Sequence, residues 1–139
     1  MSEKNITTLT EEEFEELISK KITTVKYNAE LMKDASNFQT LLISIVKLYT
    51  EIGIDYGLLQ AKFEYYKKII DIVNDRQSSK VSPAERKVMA YNELIAISVA
   101  EGQINAYDRY QTSKMRFNRY KSILDVLARQ IEVIKLLAN

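Results

Sequence analysis

Cysteine, histidine and tryptophan are absent from this chain of 139 residues, and it holds one proline and three glycines. Without cysteine there is no disulfide, no thiolate nucleophile and no Cys-based metal site. Without histidine the commonest general base and the usual transition-metal ligand are both missing. No Gly-rich phosphate loop, GxSxG or HExxH pattern occurs. Glu93, Glu101 and Asp108 are carboxylates in the C-terminal third, but a helical carboxylate metal site normally adds Glu-x-x-His. The expectation is a non-enzymatic protein with no metal and no cofactor. No apolar run reaches the ~18 residues of a membrane span, and the opening "MSEKNITT" is too polar for a signal peptide. A cytoplasmic location, in an infected or host cell, is the matching expectation.

Charge of one sign is also lacking overall: 20 basic against 19 acidic residues leave +1. Attraction to a polyanion must therefore come from local segregation. Residues 1–16 carry Glu3, Glu11, Glu12, Glu13, Glu15 and Glu16 against Lys4, whereas 109–121 hold five bases and no acid.

What is present is helix-forming composition, rich in Leu, Ile, Glu and Lys. In "LTEEEF", Thr10 and Glu13 form a capping box, with Leu9 and Phe14 placed as a hydrophobic staple. A short helix is predicted over about 11–24. Leu31, Ala35, Phe38, Leu42, Ile45, Tyr49, Ile52 and onward to Val73 then follow at alternating steps of four and three. That heptad seam predicts a single helix over about 27–74. Gly53 and Gly57, one turn apart inside it, are read as a close approach by a neighbouring helix or a slight bend, with a functional hinge as the alternative. Ser82, Pro83 and Glu85 form a restart signal. A second long helix is predicted over about 83–137, with the seam Phe117, Tyr120, Leu124, Leu127, Ile131, Ile134 and Ala138. The fold class is thus all-α: one domain, a short helix plus a long antiparallel helical hairpin. Stretches such as "LLISIV" and "ILDVLARQIEVIKLL" are apolar on more than one face. They point to a homo-oligomer, with Leu127, Ile131 and Ile134 at its interface.

On a helical projection of "DRYQTSKMRFNRYK", Tyr110, Phe117 and Tyr120 share one stripe. Arg109, Arg116 and Arg119 form a row on one side of it, and Lys114 and Lys121 lie on the other. The plain reading is an aromatic core stripe with bases snorkelling at its edges. The functional reading is an Arg ridge that grips phosphates. A second basic patch, including Lys62, Lys67 and Lys68, surrounds the turn between the long helices, diluted by Glu64 and Asp71. The acidic first helix reads as dipole complementation, or as a surface that docks a basic partner.

The segment "AKFEYY" (Ala61, Lys62, Phe63, Glu64, Tyr65, Tyr66) lies near the end of the first long helix. It resembles the Ala-Arg-Leu-Asp-Tyr-Tyr stretch of the recombination mediator proteins of T-even phages. The tail "MRFNRYKSILDVLARQIEVIKLL" is similar to that family's basic-apolar closing helix, so the likeness covers about residues 25–137. This chain departs from the pattern in its added acidic helix and in Lys62 where the family has arginine. The resemblance implies a ring-like oligomer that binds single-stranded DNA and loads a RecA-like recombinase while displacing the single-strand-binding protein. The alternative is a helical structural or interaction module: a virion component, an adaptor or an inhibitor of a host factor.

Overall fold

Four helices account for the chain in a computed structural model that describes residues 5–33, 37–77, 79–99 and 104–137. They are α1 (Glu11–Lys33), α2 (Phe38–Asp75), α3 (Pro83–Ala96) and α4 (Ala106–Leu137). The all-α expectation holds. None of the helices is long and apolar enough to cross a membrane among the described residues. Ala35 and Ala138 of the expected seams lie outside the described residues, as do Glu3, Lys4 and Glu101.

Two expected starts are realised atom for atom. The Thr10 N–H donates to Glu13 Oε1 at 3.0 Å, and the Glu13 N–H donates to Thr10 Oγ1 at 3.1 Å. At α3, Ser82 Oγ accepts from the Glu85 N–H at 3.2 Å, with Pro83 in the first turn.

Two boundaries differ from expectation. α1 continues to Lys33 rather than stopping near 24. The Thr23 and Thr24 hydroxyls bond back to the carbonyls of Ser19 and Lys20 at 2.9 and 3.1 Å, so this β-branched pair is satisfied inside the helix. α2 starts anew at Phe38, capped by Asn37, whose Oδ1 accepts from the Thr40 N–H at 3.1 Å.

The helix expected over 83–137 is two helices. After Ala96 the chain extends, and Ser98 and Asn105 form an isolated antiparallel bridge. The Val99 N–H donates to the Ile104 carbonyl at 3.1 Å, and the Ala106 N–H to the Ile97 carbonyl at 2.9 Å. Asn105 then caps α4, accepting from the Asp108 N–H at 2.8 Å while its own amide donates to Asp108 Oδ2 at 3.0 Å. β-branched Ile97 and Val99 favour this extension.

The residues sort into two compact units, the first of 1–58 with 118–139 and the second of 59–117. In the first, α1 and α4 run parallel: Phe14 meets Tyr120 at 5.9 Å between ring centroids, Glu15 pairs with Arg119, and Gln130 Nε2 donates to the Val25 carbonyl at 3.2 Å. The core of this unit includes Phe14, Ile18, Ile45, Ile52, Tyr120 and Leu127. In the second unit Val73, Ala90, Leu94 and Ala106 close a small core, with Ile69, Ile70, Ile97, Val99 and Tyr107 against it. There α2 and α4 run antiparallel, since Phe63 stacks on Phe117 and Tyr110 while Val73 lies with Ala106. Arg76 and Gln77, just after α2, both bind Glu93 of α3, so that carboxylate fastens the two helices together.

The buried registers are regular. Along α2, Ile45, Ile52, Leu59, Tyr66 and Val73 recur every seven residues and are all buried. Along α4, Ala106, Ser113, Tyr120, Leu127 and Ile134 do the same. A second buried row on α4 is Arg116, Ile123 and Gln130, one position before the expected Phe117, Leu124 and Ile131, which are half-buried.

Two predictions follow from this packing. Leu127→Ala should cost about 2–5 kcal/mol, read as a lowered urea midpoint by circular dichroism. A Cβ built at Gly53 or Gly57 meets nothing within 4 Å, so the neighbouring helix expected there is not supplied by the described residues. Gly53→Ala and Gly57→Ala should each stabilise by roughly 0.5–1 kcal/mol. A fall in midpoint for either change would mean that something outside the chain packs against these glycines.

Candidate functional site

The arginine row does not survive as a row. Arg116 is 7% exposed, on the second buried stripe of α4, which removes it from any solvent-facing ridge. Arg109 is half-buried, and neither it nor Arg116 stands free of interactions within the chain. Both belong to the second unit. Arg119 belongs to the first, where its guanidinium pairs with Glu15 and lies 5.8 Å from the Phe14 ring centroid. One glutamate of the acidic helix is thereby spent on a base of α4. The side chains of this pair are 33% and 49% exposed, so its stabilisation is small.

Of the aromatic stripe, Tyr120 is wholly buried in the first unit, while Tyr110 and Phe117 are half-buried in the second. In the second unit Phe63 lies between Phe117, at 5.0 Å and 10°, and Tyr110, at 5.7 Å and 25°. Lys114 extends over Tyr110 at 5.9 Å. The ring of Phe63 is thus stacked by the other two.

Leu127 and Ile134 are wholly buried within the chain, and Ile131 half-buried. The first two are this chain's own core rather than a surface offered to another subunit. The apolar side chains that are exposed lie elsewhere, among them Ile43, Ile54, Tyr65, Ile72 and Val88.

The remaining basic residues, Lys62, Lys67 and Lys68, lie on α2 in the second unit. Tyr65 is 59% exposed, and its ring meets the buried Tyr66 edge-on at 5.1 Å. Lys62 Nζ lies 5.9 Å from the Tyr66 ring centroid. Lys62 and Lys68 stand three residues before and after Tyr65, which puts one base on each side of the exposed ring. Lys67 is exposed but about 160° away around the helix, so it does not share that face. Lys62 is half-buried and engaged within the chain, whereas Lys68 is exposed; a ring exposed beside such bases can stack on a planar group while an ammonium meets its anionic neighbours.

Sequence reasoning missed Asp55. It follows Leu41, Ile45, Leu48 and Ile52 at the spacing of their buried stripe, so a carboxylate occupies a core-spaced position. Burial raises its pKa above the ordinary 3.8, opposed by Lys21 and by the Tyr120 hydroxyl, while Glu51 adds to the rise. Burial, with Asp55 beside it, likewise pushes the Tyr120 phenol far up. The Tyr120 hydroxyl makes no hydrogen bond of regular geometry, yet it is near enough to Asp55 for each to act on the other's ionisation. The signal was available in the four-three spacing, had the charged residue been counted with the apolar ones.

No three acidic side chains among the described residues gather as a metal site. Comparison with family models, with curated proteins and with solved structures finds no match to this chain.

Asp55 supplies a test of the buried polar pair. Because its folded pKa lies above the unfolded one, the folded state holds the extra proton between the two values, and stability falls as pH rises through that window. Asp55→Asn should therefore raise the melting temperature at pH 7, and the gain should shrink toward zero as pH drops below the ordinary 3.8. A lower melting temperature for the variant at pH 7 would contradict this assignment.

Proposed function

We propose that this protein is a non-enzymatic accessory protein of DNA recombination that binds single-stranded DNA and assists the loading of a RecA-like recombinase. The observation that carries the reading is the exposed Tyr65 between Lys62 and Lys68. All but Lys68 fall in the hexapeptide that resembles the mediator family. The hexapeptide of the resemblance and the exposed patch thus overlap within two turns of α2.

A base stacked on a protein ring contributes ~1–3 kcal/mol with little regard to sequence, and lysines on either side meet the phosphates that follow. One such patch is weak, and a net charge of +1 adds no long-range attraction. A homo-oligomer would present the patch repeatedly to one strand and convert weak contacts into avidity. The second reading, a helical interaction module, is favoured by an open apolar trough along α1 and α4 in the first unit.

Titration of fluorescent oligo-dT at several salt concentrations tests the first reading. Tyr65→Ala should weaken binding by about 1–3 kcal/mol. Lys62→Gln with Lys68→Gln should lower the slope of log K against log salt by roughly 1.4, at ~0.7 per phosphate contact. Lys114→Gln with Lys121→Gln, of equal charge change, should alter it less. Absence of binding at low salt would end the reading.

A further inference from the structure

The trough of the first unit is built from two helical seams that face each other without closing. On α1 it uses Ile18, Ile22, Val25, Ala29 and Met32, at steps of four, three, four and three. On α4 it uses Ile123, Val126, Val133 and Leu137. Two adjoining hollows, of about 410 and 420 Å³, share Val126. Ile22, Val126 and Val133 remain between 36% and 43% exposed. Two parallel helices with heptad-spaced apolar residues left open between them present the groove that a third helix fills in a coiled coil.

The ionisable side chains of the lining itself have one sign, with carboxylates just outside it. The ionisable side chains that line the two hollows are Lys26, Arg119, Lys33 and Arg129, with no carboxylate among them. Arg119 already holds Glu15, and Lys33 is bridged to Glu30 at 3.2 Å. Lys26 and Arg129 make no ion pair among the described residues and stand on opposite rims. Asp125 and Glu132 sit farther round α4, outside the lining.

The lining also carries an unmet acceptor. Gln130 is 8% exposed, its Nε2 donates to the Val25 carbonyl, and its Oε1 is buried with no hydrogen-bond partner. A buried carbonyl oxygen left without a donor is costly, and an incoming polar side chain at one seam position would relieve it and fix the register.

We propose that this groove is the docking site for an amphipathic helix of a partner protein, with an apolar stripe, acidic residues along its flanks and one hydrogen-bond donor in the stripe. The inference deepens the interaction-module reading by naming the place and the chemistry of the partner. It is independent of the α2 patch. The seam from Ile18 to Met32 spans about 21 Å at ~1.5 Å per residue, so a docked helix needs about four turns.

Two fluorescein-labelled designed peptides of about 20 residues serve as probes. Both carry leucine at heptad seam positions and one central serine; one has glutamate at the flanking positions and the other lysine. Anisotropy should show saturable binding of the acid-flanked peptide, at least about tenfold tighter than the base-flanked one at low salt. Val126→Asp with Val133→Asp changes only half-exposed positions, so the protein should stay folded by circular dichroism and lose that binding. Lys26→Glu with Arg129→Glu should reverse the preference between peptides. Failure of the acid-flanked peptide to bind at about 100 μM, a standard free energy weaker than about −5.5 kcal/mol, would overturn the groove. Binding that survives Val126→Asp with Val133→Asp would also overturn it, yet leave the interaction-module reading intact with its surface elsewhere. A wild-type dimer that this same double change dissociates would assign the groove to a second copy, again against the proposal. Oligo-dT binding by the same variants should keep its dependence on Tyr65, weakened only by the general loss of positive charge.

Discussion

The seven-residue recurrence of buried side chains on α2 and α4 is the constraint on which every other feature depends. Each helix commits a seven-residue row to the interior, Ile45 through Val73 on α2 and Ala106 through Ile134 on α4, with further buried positions beside it. Large side chains fully buried in this way contribute ~1.5–3 kcal/mol each, which sets the rotation of both helices. Once the rotation is set, the fate of each charged residue is decided. Arg116 and Asp55 are drawn inward, whereas Tyr65 and Lys68 are left facing out. The surface is what remains after the core has chosen its rows.

Local signals were legible where side chain and backbone meet within a few residues. The caps at Thr10 and Ser82 need only a reciprocal bond across three positions, and both form. The break after Ala96 was less visible, because "LIAISVA" continues the apolar character of the helix before it. Its signal lay in Ile97, Val99 and the cap pair Asn105 and Asp108. On α4 the expected row Tyr120, Leu127 and Ile134 is buried, while the expected row Phe117, Leu124 and Ile131 gives way to the residues one position earlier. A helix with neighbours on two sides buries a wider arc than one apolar stripe, so Arg116 and Gln130 were carried inside beside Ile123. Arginine is easily mistaken here, since its long apolar stem suits a half-buried row as well as its charge suits a ridge.

The charge pattern takes on a different meaning once the pairs are known. The acidic first helix is partly consumed at home: Glu13 closes its cap, Glu15 holds Arg119, and Glu16 lies 3.6 Å from Lys20. What remains differs between the two units. The second unit carries an exposed ring between lysines, suited to an extended polyanion with planar bases. The first carries a basic-rimmed apolar trough, suited to a helix. An accessory protein that recruits another protein to a DNA strand needs one surface of each kind, and a molecule near electrical neutrality can supply both only by segregating its charges.

The central claim is that the strand lies on α2 around Tyr65. Photo-crosslinking tests it without any substitution: an oligo-dT carrying 4-thiothymidine is irradiated on the wild-type protein, and the adduct is mapped after trypsin digestion. Cleavage after Lys62 and Lys67 releases residues 63–67, which include Tyr65. The account predicts that this peptide carries the dominant adduct. Adducts confined to peptides of α1 or α4, from a strand shown to be bound, would contradict it.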